Sequence, residues 1–263
     1  MKSGTWLGAG LTAMAAACGP VHAQGELPDL LACMRANVPE QGRIQDLELT
    51  THEGESVRQL KARLYGREQP GELSLTLQVR APADLRGAAW LFRRRRARDG
   101  RVGDETFVYL PSVGRVRRVS GGGEDQRLFG TALSFEDVYQ LLSSFSGGAM
   151  SLGPASEIAG RPVRRISILA APDTPASYDR IVAEVDRASC VVVAAELSRH
   201  GQVQKRLYAA PDAQRRLGSH WYPSLVTVED RRKGIRTELR VLQAELSPRP
   251  PSRYFEPASF FRE

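Results

Sequence analysis

The sequence predicts a mostly β fold with few helices, organised around an antiparallel sheet. Three observations predict it. Apolar and polar residues alternate with period two in several segments. Turn pairs such as Asp99-Gly100, His200-Gly201 and Lys233-Gly234 separate those segments. Strand-like and helix-like stretches nowhere alternate as a parallel βαβ sheet requires.

The N-terminus comes first in the chain. Lys2 precedes an apolar stretch from Trp6 to Ala17, and Val21-His22-Ala23 places small residues where a signal peptidase reads. Residues 1–23 therefore read as a leader cut near Ala23, with 24–263 as one exported domain. The stretch is too short to span the ~30 Å hydrocarbon layer. Ala15-Ala16-Ala17-Cys18 loosely resembles a lipobox without its usual Leu, which keeps a lipid-anchored form as an alternative. After the cut, Leu27-Pro28-Asp29 opens a short helix with Leu30, Leu31 and Met34 at helical spacing, ended by Val38-Pro39.

The period then changes to two. Leu73, Leu75, Leu77 and Val79 alternate with Ser74, Thr76 and Gln78, which predicts a strand with one dry and one wet face. Leu60-Ala62-Leu64, a looser Val203-Lys205-Leu207, and Ile235-Thr237-Leu239-Val241 repeat the pattern. Further strands are expected at 106–110, 116–119, 163–169, 178–185 and 190–197, about ten in all. One helix interrupts them. Ser134 can cap it, Glu136 and Asp137 suit its first turn, and Gly147-Gly148 stops it. Phe135, Val138, Leu141, Leu142 and Phe145 share one face, which needs an apolar surface to cover. The Pro-rich end, 248–263, carries Tyr254, Phe255, Phe260 and Phe261 and reads as an aromatic strap.

Composition narrows the function classes. The chain of 263 residues has 37 basic and 30 acidic residues. The leader holds one Lys, so 36 against 30 leaves +6 after the cut. A basic exported protein suits anionic lipid better than nucleic acid, which export removes as a partner. Arg93-Arg94-Arg95-Arg96 is the densest cluster, either a solvated hairpin or a contact with anionic headgroups. Outside the leader the cysteines are Cys33 and Cys190; an oxidising compartment suggests a disulfide, with two buried thiols as the alternative.

Motifs for chemistry are missing. His52, His200 and His220 have no metal-ligand spacing, and no G-x-S-x-G elbow occurs. Ser120-Gly121-Gly122-Gly123 lacks the Gly-Lys-Ser/Thr that follows in a phosphate loop, and Glu124-Asp125 would repel a phosphate. No cofactor and no enzymatic activity are expected.

One segment is distinctive: Tyr109-Leu110-Pro111 followed by Arg115-Val116-Arg117-Arg118-Val119, then Gly130-Thr131-Ala132-Leu133-Ser134-Phe135-Glu136-Asp137. It resembles the signature of the outer-membrane lipoprotein-sorting-protein-like family in the LolA/LolB superfamily. The Cys in the N-terminal helix, the Val185-Asp186-x-x-x-Cys190 strand and the closing Phe255-x-Pro257 extend the resemblance over nearly the whole exported chain. Ala132 and Leu133 depart from the family's Asp-Phe, so any partner contact that Asp makes would be missing.

The resemblance implies an incomplete, curved antiparallel half-barrel with a helical lid over an apolar cavity. It implies a periplasmic monomer that carries a lipid or a lipoprotein's acyl chains toward the outer membrane. An inner-membrane transporter of the resistance-nodulation-division (RND) type and an outer-membrane acceptor are the expected partners. Burying each methylene of a cargo chain gains about 0.8 kcal/mol. Arg115 and Arg117 would share one face of their strand and Arg118 the other. They could latch the lid through Glu136 or Asp137, serve solubility, or meet headgroups. A sensor or interaction module docking on a membrane protein is the alternative function.

Overall fold

The computed structural model describes residues 23–39, 42–69, 72–96, 102–119, 126–142, 148–170 and 177–262. The expected leader through His22, the expected turn at Asp99-Gly100, the Ser120–Asp125 segment and Phe145 to Gly147 lie outside the described residues.

After helix α1 (Ala23–Ala36), the chain forms β1 (Gly42–Glu53), β2 (Ser56–Gln69), β3 (Glu72–Ala81), β4 (Ala89–Arg96), β5 (Val102–Leu110) and β6 (Arg115–Val119). Helix α2 (Phe135–Leu142) follows. Then come β7 (Ala149–Ile158), β8 (Arg161–Leu169), β9 (Arg180–Asp186), β10 (Val192–Arg199) and β11 (Gln202–Ala209). A small hairpin, β12 (Gln214–Leu217) and β13 (His220–Pro223), precedes β14 (Leu225–Asp230) and β15 (Ile235–Ser247). The described strands outnumber the ten expected: β1, β4, β7 and the hairpin carry charged, Gly-containing or short sequences that hide their period, and the six-residue β14 was not recognised.

Thirteen strands make one sheet, in the order β6-β5-β4-β3-β2-β1-β15-β14-β11-β10-β9-β8-β7. The sheet is curved and antiparallel, and it is not closed into a barrel. Two meanders join at its middle, where β1 pairs with β15 from Gly42↔Ser247 to Glu53↔Ile235. The chain leaves the sheet at one edge, β6, and re-enters at the other, β7. Helix α2 lies in that connection, so the topology itself carries it across the sheet.

The inner face is apolar. Leu47 and Leu49 of β1 face Ala62 and Leu60 of β2, and Leu75, Leu77, Trp90 and Phe92 continue the layer. Phe135 and Val138 of α2 and Met34 of α1 belong to the same cluster. Phe135 stacks on Trp90 with ring centroids 5.8 Å apart.

The outer face of β3 departs from the alternation rule. Ser74, Thr76 and Gln78 are buried, not wet. The C-terminal strap covers them: Thr76 donates to the Tyr254 carbonyl and Gln78 to the Phe260 carbonyl. Tyr254 stacks on Tyr65 at 3.9 Å and Phe261 on Tyr109 at 4.0 Å, while Phe255 and Phe260 are fully buried. Polar side chains suit this layer because they bind carbonyls of a strap that has no strand to pair with.

α1 begins at Ala23, before the expected Leu27 start. Cys33 and Cys190 stand at disulfide distance, their Cα atoms 5.8 Å apart, which ties α1 to the turn before β10. No helix among the described residues is long and apolar enough to cross a membrane.

Candidate functional site

The site is a cavity of about 180 Å³ between the inner face and the segments that cover it. Leu47, Leu49, Leu64, Leu77, Val226, Val228, Leu239 and Val241 form its floor. Leu128, Leu133 and Val138 roof it from the α2 connection. Met34 of α1 and Val38 just after it close one side, and Trp221, Tyr222 and Pro223 close it from the β12–β13 hairpin. The hairpin docks on the end of α1: the Trp221 N–H donates to Asn37 Oδ1 at 2.8 Å, and His220 Nδ1 lies 2.7 Å from the Ala36 carbonyl. Asn37 also donates to the Ser189 carbonyl, so α1, the hairpin and the Cys190 turn form one cover.

The α2 connection is pinned over the middle of the sheet by polar contacts. Ser134 Oγ accepts from the Asp137 N–H at 3.2 Å, and Asp137 accepts from the Ser134 N–H at 2.6 Å. This reciprocal cap is a capping box with Asp in the place of Glu. The Asp137 carboxylate is wholly buried and also accepts from Tyr178 Oη at 2.6 Å and from Lys205 Nζ. Lys205 donates in addition to the Ala132 carbonyl at 2.9 Å. The Ala132 N–H donates to Thr237 Oγ1, itself 2.8 Å from Thr51 Oγ1 on the neighbouring strand. Arg127 spans Glu53 on β1 and the carbonyls of Gly130 and Thr131. The Arg127 guanidinium, ahead of Arg58, holds the Glu53 carboxyl below the ordinary glutamate range.

These contacts assign the signature residues. Thr131 Oγ1 donates to the Leu128 carbonyl, and Gly130 takes the left-handed conformation at φ +82, which shapes the turn before α2. Ala132 is fully buried, so the position of the family's Asp faces the interior. Phe135 and Val138 belong to the main apolar cluster. Leu141 and Leu142 lie in α2 without described side chains, and Phe145 lies outside the described residues. Tyr109 points outward to the strap, Leu110 ends β5, and Pro111 follows in the turn.

Asp137 does not answer the arginine strand. Its oxygens are taken by Lys205, Tyr178 and Ser134, so the latch expected from Arg115, Arg117 or Arg118 does not form through it. Arg115 and Arg117 face inward, opposite Leu110 and Val108. Arg117 borders a wider depression of about 650 Å³ with Arg58, Arg127 and Phe129. Arg118 faces outward and pairs with Glu105 at 3.4 Å.

Arg93, Arg94 and Arg95 of the arginine run are paired on β4, and the Arg96 side chain lies outside the described residues. Arg93 is buried against Glu105 and Glu256, Arg94 grips Asp104 with both nitrogens, and Arg95 lies 3.5 Å from Glu72. It presents no free cationic patch at these three positions.

Sequence reasoning missed Lys205 as a pinning residue, although a Lys among Val203 and Leu207 broke the dry face. It missed Arg43 and Gln45, which line the cavity, because β1 was not recognised as a strand. Their period with Leu47 and Leu49 was the available signal. No group of three metal-ligating side chains comes together among the described residues.

Residues 72–262 match the model of a family described as uncharacterized proteins. No curated protein matches the chain in sequence. Solved structures that share its fold include the following three. A DUF1329 family protein from Desulfovibrio piger is 21% identical, with a TM-score of 0.79 over 87% of this chain and 95% of its own. An outer membrane lipoprotein-sorting protein domain from Vibrio parahaemolyticus is 18% identical, with a TM-score of 0.77 over 89% and 97%. A LolA superfamily protein from Nitrosomonas europaea is 16% identical, with a TM-score of 0.66 over 87% and 96%.

Proposed function

Since the chain belongs to the family of uncharacterized proteins whose model covers residues 72–262, and has the fold of LolA superfamily proteins, we propose that it is a non-enzymatic carrier of lipidic cargo. The cargo is a lipid or the acyl chains of a lipoprotein. The carrier works in the periplasm after its leader is cut near Ala23. It receives cargo from an inner-membrane transporter of the RND type and yields it to an outer-membrane acceptor. The observation that carries this reading is the cavity, whose floor is almost wholly Leu and Val. The name of the Vibrio parahaemolyticus neighbour, a lipoprotein-sorting domain, supports the direction of transport.

The physics is simple. A chain methylene moved from water into this cavity gains about 0.8 kcal/mol, so several together hold a chain without any covalent step. No nucleotide is needed. Direction comes from a difference in affinity between donor, carrier and acceptor.

The test is native mass spectrometry with lipid extraction, on protein purified from the periplasm without detergent. A co-purified acylated species is the expected result. An empty protein that also leaves the fluorescence of N-phenyl-1-naphthylamine unchanged would overturn the reading. Stable capture of a membrane protein's periplasmic domain by such an empty protein would point to a docking module.

A further inference from the structure

One group in the cavity wall is out of place in an apolar container. Arg43 lies on β1, two residues before Gln45 and four before Leu47, and all three line the cavity. Its partner across the ladder on β2 is Gly66. The residues that precede Gly66 on that face are Leu60, Ala62 and Leu64, so a side chain would be expected there. Gly66 has none, and Arg43 lies across the space. A Cβ added at Gly66 would stand 3.2 Å from Arg43 Cγ and 3.3 Å from Nε.

The guanidinium has five donors. Among the described residues, no hydrogen bond or ion pair closes on any of them. The acid that bears on Arg43 is Glu68, through charge alone, and burial outweighs it to lower the Arg43 pKa below the ordinary guanidinium value. Arg43 is half-buried, so its guanidinium keeps some contact with water while it borders the apolar lining at Leu47, Leu64 and Val241. An anion in the cavity would answer its charge from the drier side, and a guanidinium fork fits a carboxylate or phosphate with two parallel bonds.

We propose that Arg43 anchors the acidic head of the cargo, so that the preferred ligand is an amphiphile with a carboxylate or phosphate on an apolar chain. This rests on the carrier reading and narrows its substrate class. The chain lies along the leucine and valine floor. Gln45, buried at 7% exposure beside Arg43, adds a polar contact at the head. Gly66 keeps the guanidinium flat against β2 and clear of the chain.

The test is displacement of N-phenyl-1-naphthylamine at pH 8 by three ligands of one chain length: dodecanoate, dodecyl phosphate and methyl dodecanoate. The wild type should bind the two acids at least about tenfold more tightly than the ester, as a charge-assisted hydrogen bond predicts. Arg43→Gln should remove the advantage of the two acids over the ester. Gly66→Ala, which crowds Arg43 and keeps its charge, should weaken the acids alone. It also serves if Arg43→Gln does not fold. Equal binding of acids and ester by the wild type would overturn the proposal, as would an acid preference that survives Arg43→Gln. Inorganic phosphate is the arm without a chain. If it raises the melting temperature as much as dodecyl phosphate does, and only when Arg43 is present, the site holds a free anion and the lipid assignment falls. Failure of the carrier reading looks different: the probe is then not taken up at all.

Discussion

At Lys205 a buried charge helps to pin the α2 connection to the sheet. Its ammonium answers the Asp137 carboxylate in a place where neither meets water. Such a pair is a poor source of net stability but is damaging to break. Lys205→Met should cost about 3–5 kcal/mol in urea unfolding, because it strands a buried carboxylate. Lys205→Met combined with Asp137→Leu should recover most of that loss. A double variant as unstable as the single one would show that the pair is not the cause. Asp186 has a different role. Burial opposes its ionisation, but Arg161 at 2.7 Å and Ser189 at 2.7 Å together hold its pKa below the ordinary aspartate value. A depressed folded pKa contributes stability above the unfolded value near 3.9, and that contribution is lost as pH falls through the lower folded value. Urea midpoints measured from pH 7 to pH 2 should therefore fall less steeply in Asp186→Asn than in the wild type. Parallel curves would refute the assignment.

Among the elements, α1 depends most on a distant partner. It reaches the cavity through Met34 and is tied to the sheet across 157 residues of sequence by Cys33 and Cys190. A closed loop of that length is worth about 4–5 kcal/mol in the chain-entropy model. Cys33→Ser with Cys190→Ser should lose stability on that scale, and stopped-flow release of N-phenyl-1-naphthylamine should be faster. Two free thiols in unreduced protein, counted by mass spectrometry, would remove the basis for both expectations. The legibility of the elements varied with their chemistry. α2 was readable because Ser134, Asp137, Phe135 and Val138 each obey a local rule. β1 was not, because Arg43 and Gln45 sit where a dry face calls for apolar residues. The outer face of β3 was misread as wet because its cover arrives from residues 252–261, about 180 positions away.

The whole molecule separates its two faces. The strap belongs to the outer face and the cavity to the inner one, so they should respond independently. Phe260→Ala removes a fully buried ring and should cost about 3–5 kcal/mol in thermal or urea unfolding. Probe affinity should not change in the folded protein. A variant of normal stability with altered probe affinity would mean that the two faces are coupled.

By itself the sequence determined what repeats locally: the period of two, the turn pairs at His200-Gly201 and Lys233-Gly234, the capped amphipathic helix and the aromatic tail. Those features follow from short-range sterics and hydrogen bonding, which act within a few residues. Only the tertiary structure decided which surfaces meet. It joined β1 to β15, carried α2 from one sheet edge to the other, gave Asp137 to Lys205 and not to the arginine strand, and left Arg43 facing an apolar cavity. Each of those outcomes pairs residues far apart in the chain. Its energy comes from burying two surfaces together, a quantity that neither segment contains alone.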